Sequence, residues 1–146
     1  MSRIAQVIVL ATYADEAMEP LTRQDSPHWR FKPLGLFAGG WVIEFYGLRH
    51  RSGLLRQLES LAWPHPESVQ VLIHDEEDDC YGLWMMRDGA LTEVPIPGHQ
   101  RYYNPVPLGP SRTDPPSPGY LWRPETVAGA FGEGALTSPL DPRPAW

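Results

Sequence analysis

The sequence predicts an α+β fold: a two-layer sandwich with one main helix on a mostly antiparallel sheet of about five strands, then a proline-rich C-terminal wrap. Three observations carry that expectation. Short β-rich runs alternate with clusters of turn residues, one stretch (residues 52–62) has helical apolar spacing, and twelve of the seventeen prolines follow residue 94.

Residues 4–12, within RIAQVIVLATY, are β-rich and almost wholly apolar, which predicts a strand buried on both faces. Pro20, Pro27 and Pro33 then exclude a long element and leave a short helix over 15–19, stopped by Pro20. Gly39 and Gly40 permit a bend into a strand over 41–46. Ser52 has N-cap chemistry, and Leu54, Leu55, Leu58 and Leu61 share one face, so helix 52–62 lays its leucines on the sheet until Pro64 ends it. SVQVLIH, CYGLWMM and LTEVPI read as a three-stranded meander over 68–94, with Asp88-Gly89 as its second turn. The chain thus divides into a core, 1–96, and an extended segment, 97–146. Proline and glycine deny that segment regular ladders and buried helices, save for an edge strand near 119–123.

Charge is distributed unevenly. The net charge is −6; residues 1–66 balance to +1, residues 67–94 to −7, and residues 95–146 to zero. An acidic chain is a poor ligand for phosphate backbones, so nucleic acid is not the expected partner. The N-terminal apolar run is too short to span a bilayer and is followed at once by acids, which argues against a membrane span or a signal peptide. The lone cysteine, Cys80, fits a reducing cytoplasm.

The surplus acids concentrate in Asp75, Glu76, Glu77, Asp78 and Asp79, expected at an exposed hairpin tip with His74 at its edge. Five adjacent carboxylates repel by about 1 kcal/mol per close pair in water, so stability alone would not gather them. The reading they favour is a surface for a basic protein partner, steered by its field. Immunity proteins and other inhibitors of cationic proteins share that charge logic, but no motif carries a resemblance to them. The acidic surroundings are expected to raise the pKa of His74 and to make Cys80 inert.

A second candidate is Arg49-His50-Arg51-Ser52 at the start of the helix, where cations oppose the macrodipole and call for an anion. Phosphate or carboxylate would serve, and so would the acidic hairpin. If strands 41–46 and 69–74 run parallel, helix start and hairpin lie at one end of the sheet and can meet.

No catalytic residue, metal or cofactor is assigned. The histidines lack ligand spacing, and an EF-hand read from Asp75 would place Cys80 where glycine is required and Met86 where glutamate is required. Loop aromatics Trp29, Phe31, Trp63 and Trp122 are expected to seal the core, and Phe131, Leu136 and Trp146 are candidate docking points in the tail. Three functions follow in order: a non-catalytic module for a basic protein, a small enzyme or ligand binder with an anion site, and a structural subunit of an assembly.

Overall fold

The computed structural model describes residues 3–26, 29–35, 39–103, 117–131, 136–137 and 142–146. Nine strands are described: β1 Ala5–Leu10, β2 Lys32–Pro33, β3 Gly40–Phe45, β4 Gln70–Asp75, β5 Gly82–Arg87, β6 Ala90–Val94, β7 Gln100–Tyr103, β8 Tyr120–Trp122 and β9 Leu136–Thr137. Three helices accompany them: α1 Asp15–Thr22, α2 Leu54–Glu59 and α3 Pro124–Phe131. The first six strands form one antiparallel sheet in the order β2-β3-β1-β4-β5-β6, and β8-β7-β9 form a small second sheet. The α+β architecture holds, with six strands in the main sheet where about five were expected.

Alternation divides the main sheet into two faces. Ala5, Val7 and Val9 of β1 are buried, with Val71, Ile73 and Asp75 of β4 and Trp84 of β5 beside them. The helices lie on this face. Ala17, Met18 and Leu21 of α1 and Leu54, Leu55 and Leu58 of α2 join one core cluster with the sheet. Phe31 and Trp63 are buried in it and Trp29 packs against it, as loop aromatics that seal a core must. The β1 run is therefore buried on one face, not two: Gln6, Ile8 and Leu10 are half-buried on the other.

Several boundaries differ from the sequence reading for physical reasons. Helix α1 runs through Pro20 to Thr22, because Ala17, Met18 and Leu21 anchor its apolar side in the core despite the missing amide. Helix α2 is shorter than 52–62. Gly53, not Ser52, precedes it, at φ 92°, and Ser52 instead donates its hydroxyl to the carbonyl of Pro144 at 3.2 Å. At its other end the Trp63 indole donates to the carbonyl of Leu58 at 2.7 Å, which also accepts the Leu61 amide at 3.3 Å. Asp88 and Gly89 both have positive φ, 52° and 80°, as a two-residue hairpin turn requires.

The largest departure lies after residue 96. Strands β7, β8 and β9 and helix α3 build a second layer around Tyr102, Trp122 and Val127, so regular ladders do form there. The strand expected near 119–123 exists as β8, yet it pairs with β7 and not with the main sheet. Trp146 is buried in the main core; Phe131 and Leu136 have side chains outside the described residues. Strands β3 and β4 are each antiparallel to β1, hence parallel to one another, with α2 in the connection between them. That arrangement brings the start of α2 to the same end of the sheet as the acidic turn.

Candidate functional site

The acidic run is not a solvated tip. Strand β4 extends one residue further than its apolar pattern suggests, so Asp75 occupies the core face and is 1 % exposed. One carboxylate oxygen meets Arg51 Nη1 at 2.7 Å and the other meets Arg3 Nε at 2.8 Å. Arg51 is itself fully buried. It donates to the carbonyls of Gly47, at 2.6 Å, and Arg3, and its guanidinium lies 4.8 Å from the ring centre of Trp146. Arg3 donates to the carbonyl of Gly119 at 2.5 Å and lies 4.3 Å over the ring of Tyr120. One carboxylate thus joins the start of β1, the turn before α2, the chain end at Trp146 and the second layer.

Asp78 and Asp79 also point inward, toward β8 and α3. Asp78 accepts the amides of Leu121 (2.9 Å) and Asp75 (3.1 Å). Asp79 accepts the Arg123 amide at 2.8 Å and the Thr126 hydroxyl at 2.5 Å, placing a carboxylate at the start of α3 where the helix dipole favours it. A backbone bond from the Asp79 amide to the Leu121 carbonyl and a side-chain bond from the Trp122 indole to the carbonyl of Glu77 complete the seam. Burial pushes the Asp78 carboxyl up, against hydrogen bonds that pull it down; the Thr126 hydroxyl and the Arg123 amide pull that of Asp79 down. Burial first, then Asp78 and Asp79, push the Cys80 thiol up, as its acidic surroundings imply. On the same seam Arg101 holds Glu93 through Nη2–Oε1 at 2.7 Å and Nε–Oε2 at 3.1 Å.

Two corrections follow. Of Asp75 to Asp79, only Glu76 and Glu77 face solvent as exposed side chains; the other three carboxylates bind the protein's own backbone, hydroxyl and guanidinium groups. His74 is half-buried, its Nε2 3.1 Å from the carbonyl oxygen of Asp78 and its ring 4.7 Å from that of Tyr81. The anion site at Arg49, His50, Arg51 and Ser52 also fails as a unit. Arg49 and His50 are exposed, Arg51 is consumed by Asp75, and Ser52 is turned to Pro144. The counter-charge the basic turn called for is the acidic run itself. A cleft of 460 Å³ beside it is lined by Ser52, Gly53, Arg56, Arg143, Pro144 and Trp146, with Arg143 bound to Glu59 at 2.5 Å.

A further feature of the described residues is the other face of the main sheet. Cross-strand register places Val42, Ile8, Leu72, Leu83 and Val94 in one row over β3, β1, β4, β5 and β6, all half-buried and all outside both core clusters. The next row holds Gly40, Leu10, Gln70, Met85 and Thr92. On the opposite side Glu44, Gln6 and His74 align, with Gln6 donating to Glu44 at 3.2 Å and accepting the Tyr81 hydroxyl at 2.5 Å. Alternation adds Ile4, 45 % exposed, and Tyr46, 76 % exposed, to this face. Among the described residues, the buried side chains of α1, α2 and α3 all belong to the two core clusters, so these helices lie away from this face, while Leu34 packs onto it over Gly40.

No protein-family model, curated protein or solved structure matches the chain. Among the described residues no group of three or more His, Cys, Asp or Glu side chains could hold a metal ion, and no helix is long and apolar enough to cross a membrane. Sequence reasoning missed Arg3 because one arginine ahead of a strand carries no local signal. It missed the outer face by taking the unbroken apolar run of β1 for burial on both sides. That run was itself the signal, since a one-faced strand next to solvent ordinarily alternates with polar residues.

Proposed function

We propose that this chain is a non-catalytic protein-binding module whose contact surface is the outer face of the main sheet. The supporting observation is the row Val42–Ile8–Leu72–Leu83–Val94, flanked by Leu10, Met85, Ile4, Tyr46 and Tyr81. Scattered apolar residues are normal on a surface, and a contiguous apolar face of several hundred Å² is often a functional contact surface. Tyrosine and methionine at its borders suit such a role. The acidic run serves this function from inside, holding the second layer and the chain end to the sheet, so a basic partner is not required by it.

A photoreactive amino acid placed at Leu72, with exposed Glu16 as the control position, tests the reading in cells of the natural source. A discrete polypeptide adduct from position 72, absent at position 16, is expected. No adduct at 72 under conditions where the protein is folded and abundant removes the proposal.

A further inference from the structure

We infer that the occupant of the outer sheet face is a second copy of this chain, packed sheet to sheet about a two-fold axis along β4. The inference rests on the interaction reading above and adds the identity of the partner. Its basis is a symmetry in the residue pattern. Strand β4 lies midway among the five strands that carry the apolar row, with β1 and β5 on either side and β3 and β6 beyond them. Turning one copy onto another about β4 therefore lays Leu72 on Leu72, Ile8 on Leu83 and Val42 on Val94. In the neighbouring row Leu10 meets Met85 and Gln70 meets Gln70, while Gly40 is buried beneath the Leu34 side chain and Thr92 faces that corner. Apolar residues meet apolar ones and the glutamines meet each other, as an isologous interface demands.

Charge favours the same occupant. Two copies of a chain carrying −6 repel, and they can join only through a face that does not hold that surplus. By register and alternation this face carries Lys32, Arg87 and Glu44, with Glu76 at its border, and so is close to neutral. Five strands about 4.8 Å apart and six residues long at about 3.3 Å each give a footprint of roughly 480 Å². Two copies then bury about 1,000 Å², the lower bound for a specific interface. The dimer is accordingly weak and reversible, with aligned sheets about 10 Å apart.

Sedimentation of the full chain over two decades of concentration tests this. The wild type should shift from monomer to dimer in the micromolar range. Leu72→Lys puts two ammonium groups on the axis and should raise the dissociation constant roughly tenfold or more, while far-UV circular dichroism stays unchanged. Should Leu72→Lys fail to fold, Leu72→Cys in a Cys80→Ser background gives a second readout: a short bismaleimide, which spans facing sheets as a disulfide does not, should yield a covalent dimer. Three results overturn the inference: a wild type monomeric at every concentration, a dimer that survives Leu72→Lys unaltered, or no cross-link through Cys at position 72. A monomeric wild type whose position 72 still photo-crosslinks to a different polypeptide overturns only the second copy; absence of any adduct removes the interaction reading as well.

Discussion

Replacing Asp75 by asparagine should be the most damaging single isosteric change in the protein. The carboxylate is 1 % exposed and neutralises two guanidinium groups, Arg51 at 2.7 Å and Arg3 at 2.8 Å. A neutral amide leaves a fully buried Arg51 and a nearly buried Arg3 close together without a counter-charge. Removing one partner of a buried ion pair costs about 3–5 kcal/mol, because the charge left behind keeps its desolvation penalty. Against a total stability of about 5–15 kcal/mol that is a large fraction. For a chain of this size, a loss of that order lowers the melting temperature by roughly 6–20 °C. Urea unfolding followed by far-UV circular dichroism reads it as a fall in midpoint at constant slope. Glu76→Gln, one residue away and exposed, should change stability by less than about 0.5 kcal/mol. A loss below about 1 kcal/mol for Asp75→Asn would refute the internal ion-pair account.

Arg3→Met should cost less than Asp75→Asn, since it leaves Arg51 and Asp75 as a matched pair; a larger loss in urea midpoint would contradict that ranking. Asp79→Ala removes the carboxylate that receives the Arg123 amide and Thr126 hydroxyl, and should cost about 1 kcal/mol. Hydrogen exchange should then accelerate over 120–127 and stay unchanged in β1 and β4. The Asp79 carboxyl is lowered in the folded state, so its stabilisation is complete above the ordinary unfolded value and fades as pH falls through the folded one. Asp78 is raised and works in the opposite sense, its ionised form being a penalty that acid relieves as pH falls through the folded value. Asp79→Asn should therefore flatten the acid limb of a plot of urea midpoint against pH, and an unchanged limb would count against the assignment. Cys80 should alkylate more slowly than a free cysteine at neutral pH, and Asp78→Asn should speed it, because that aspartate helps raise the thiol pKa. Trp146→Ala should cost about 3–5 kcal/mol, as for other buried aromatics, and a neutral effect would detach the chain end from the core.

Legibility in the sequence followed the range of the interactions. Strands β1, β3, β4, β5 and β6 and helix α2 were readable because their apolar spacing and the Asp88-Gly89 turn are local signals. The meeting of the basic turn with the acidic run was foreseeable once β3 and β4 were allowed to run parallel, and Arg51 with Asp75 bears that out. The direction of the Cys80 shift was also foreseeable from its acidic neighbours, although burial is its larger cause. The fate of Asp75 was not readable, since its burial depends on Arg3, distant in sequence, and on strand alternation running one residue beyond the apolar pattern. The second layer was hidden for a related reason. Its prolines suggested an irregular wrap, while the bonds that order β8 and α3 come from Asp78 and Asp79 of a remote turn. The outer sheet face was present as an apolar run in β1, but residues alone do not say which side of a strand the helices leave open.

The measurement that separates an apolar contact face from an acidic one most directly is the salt dependence of the wild-type self-association constant. Salt screens charge–charge attraction between surfaces but leaves apolar burial intact. Association through the outer sheet face should hold steady or tighten as sodium chloride rises. A constant that weakens steeply with salt would mean that surface charge carries the contact and would contradict the account.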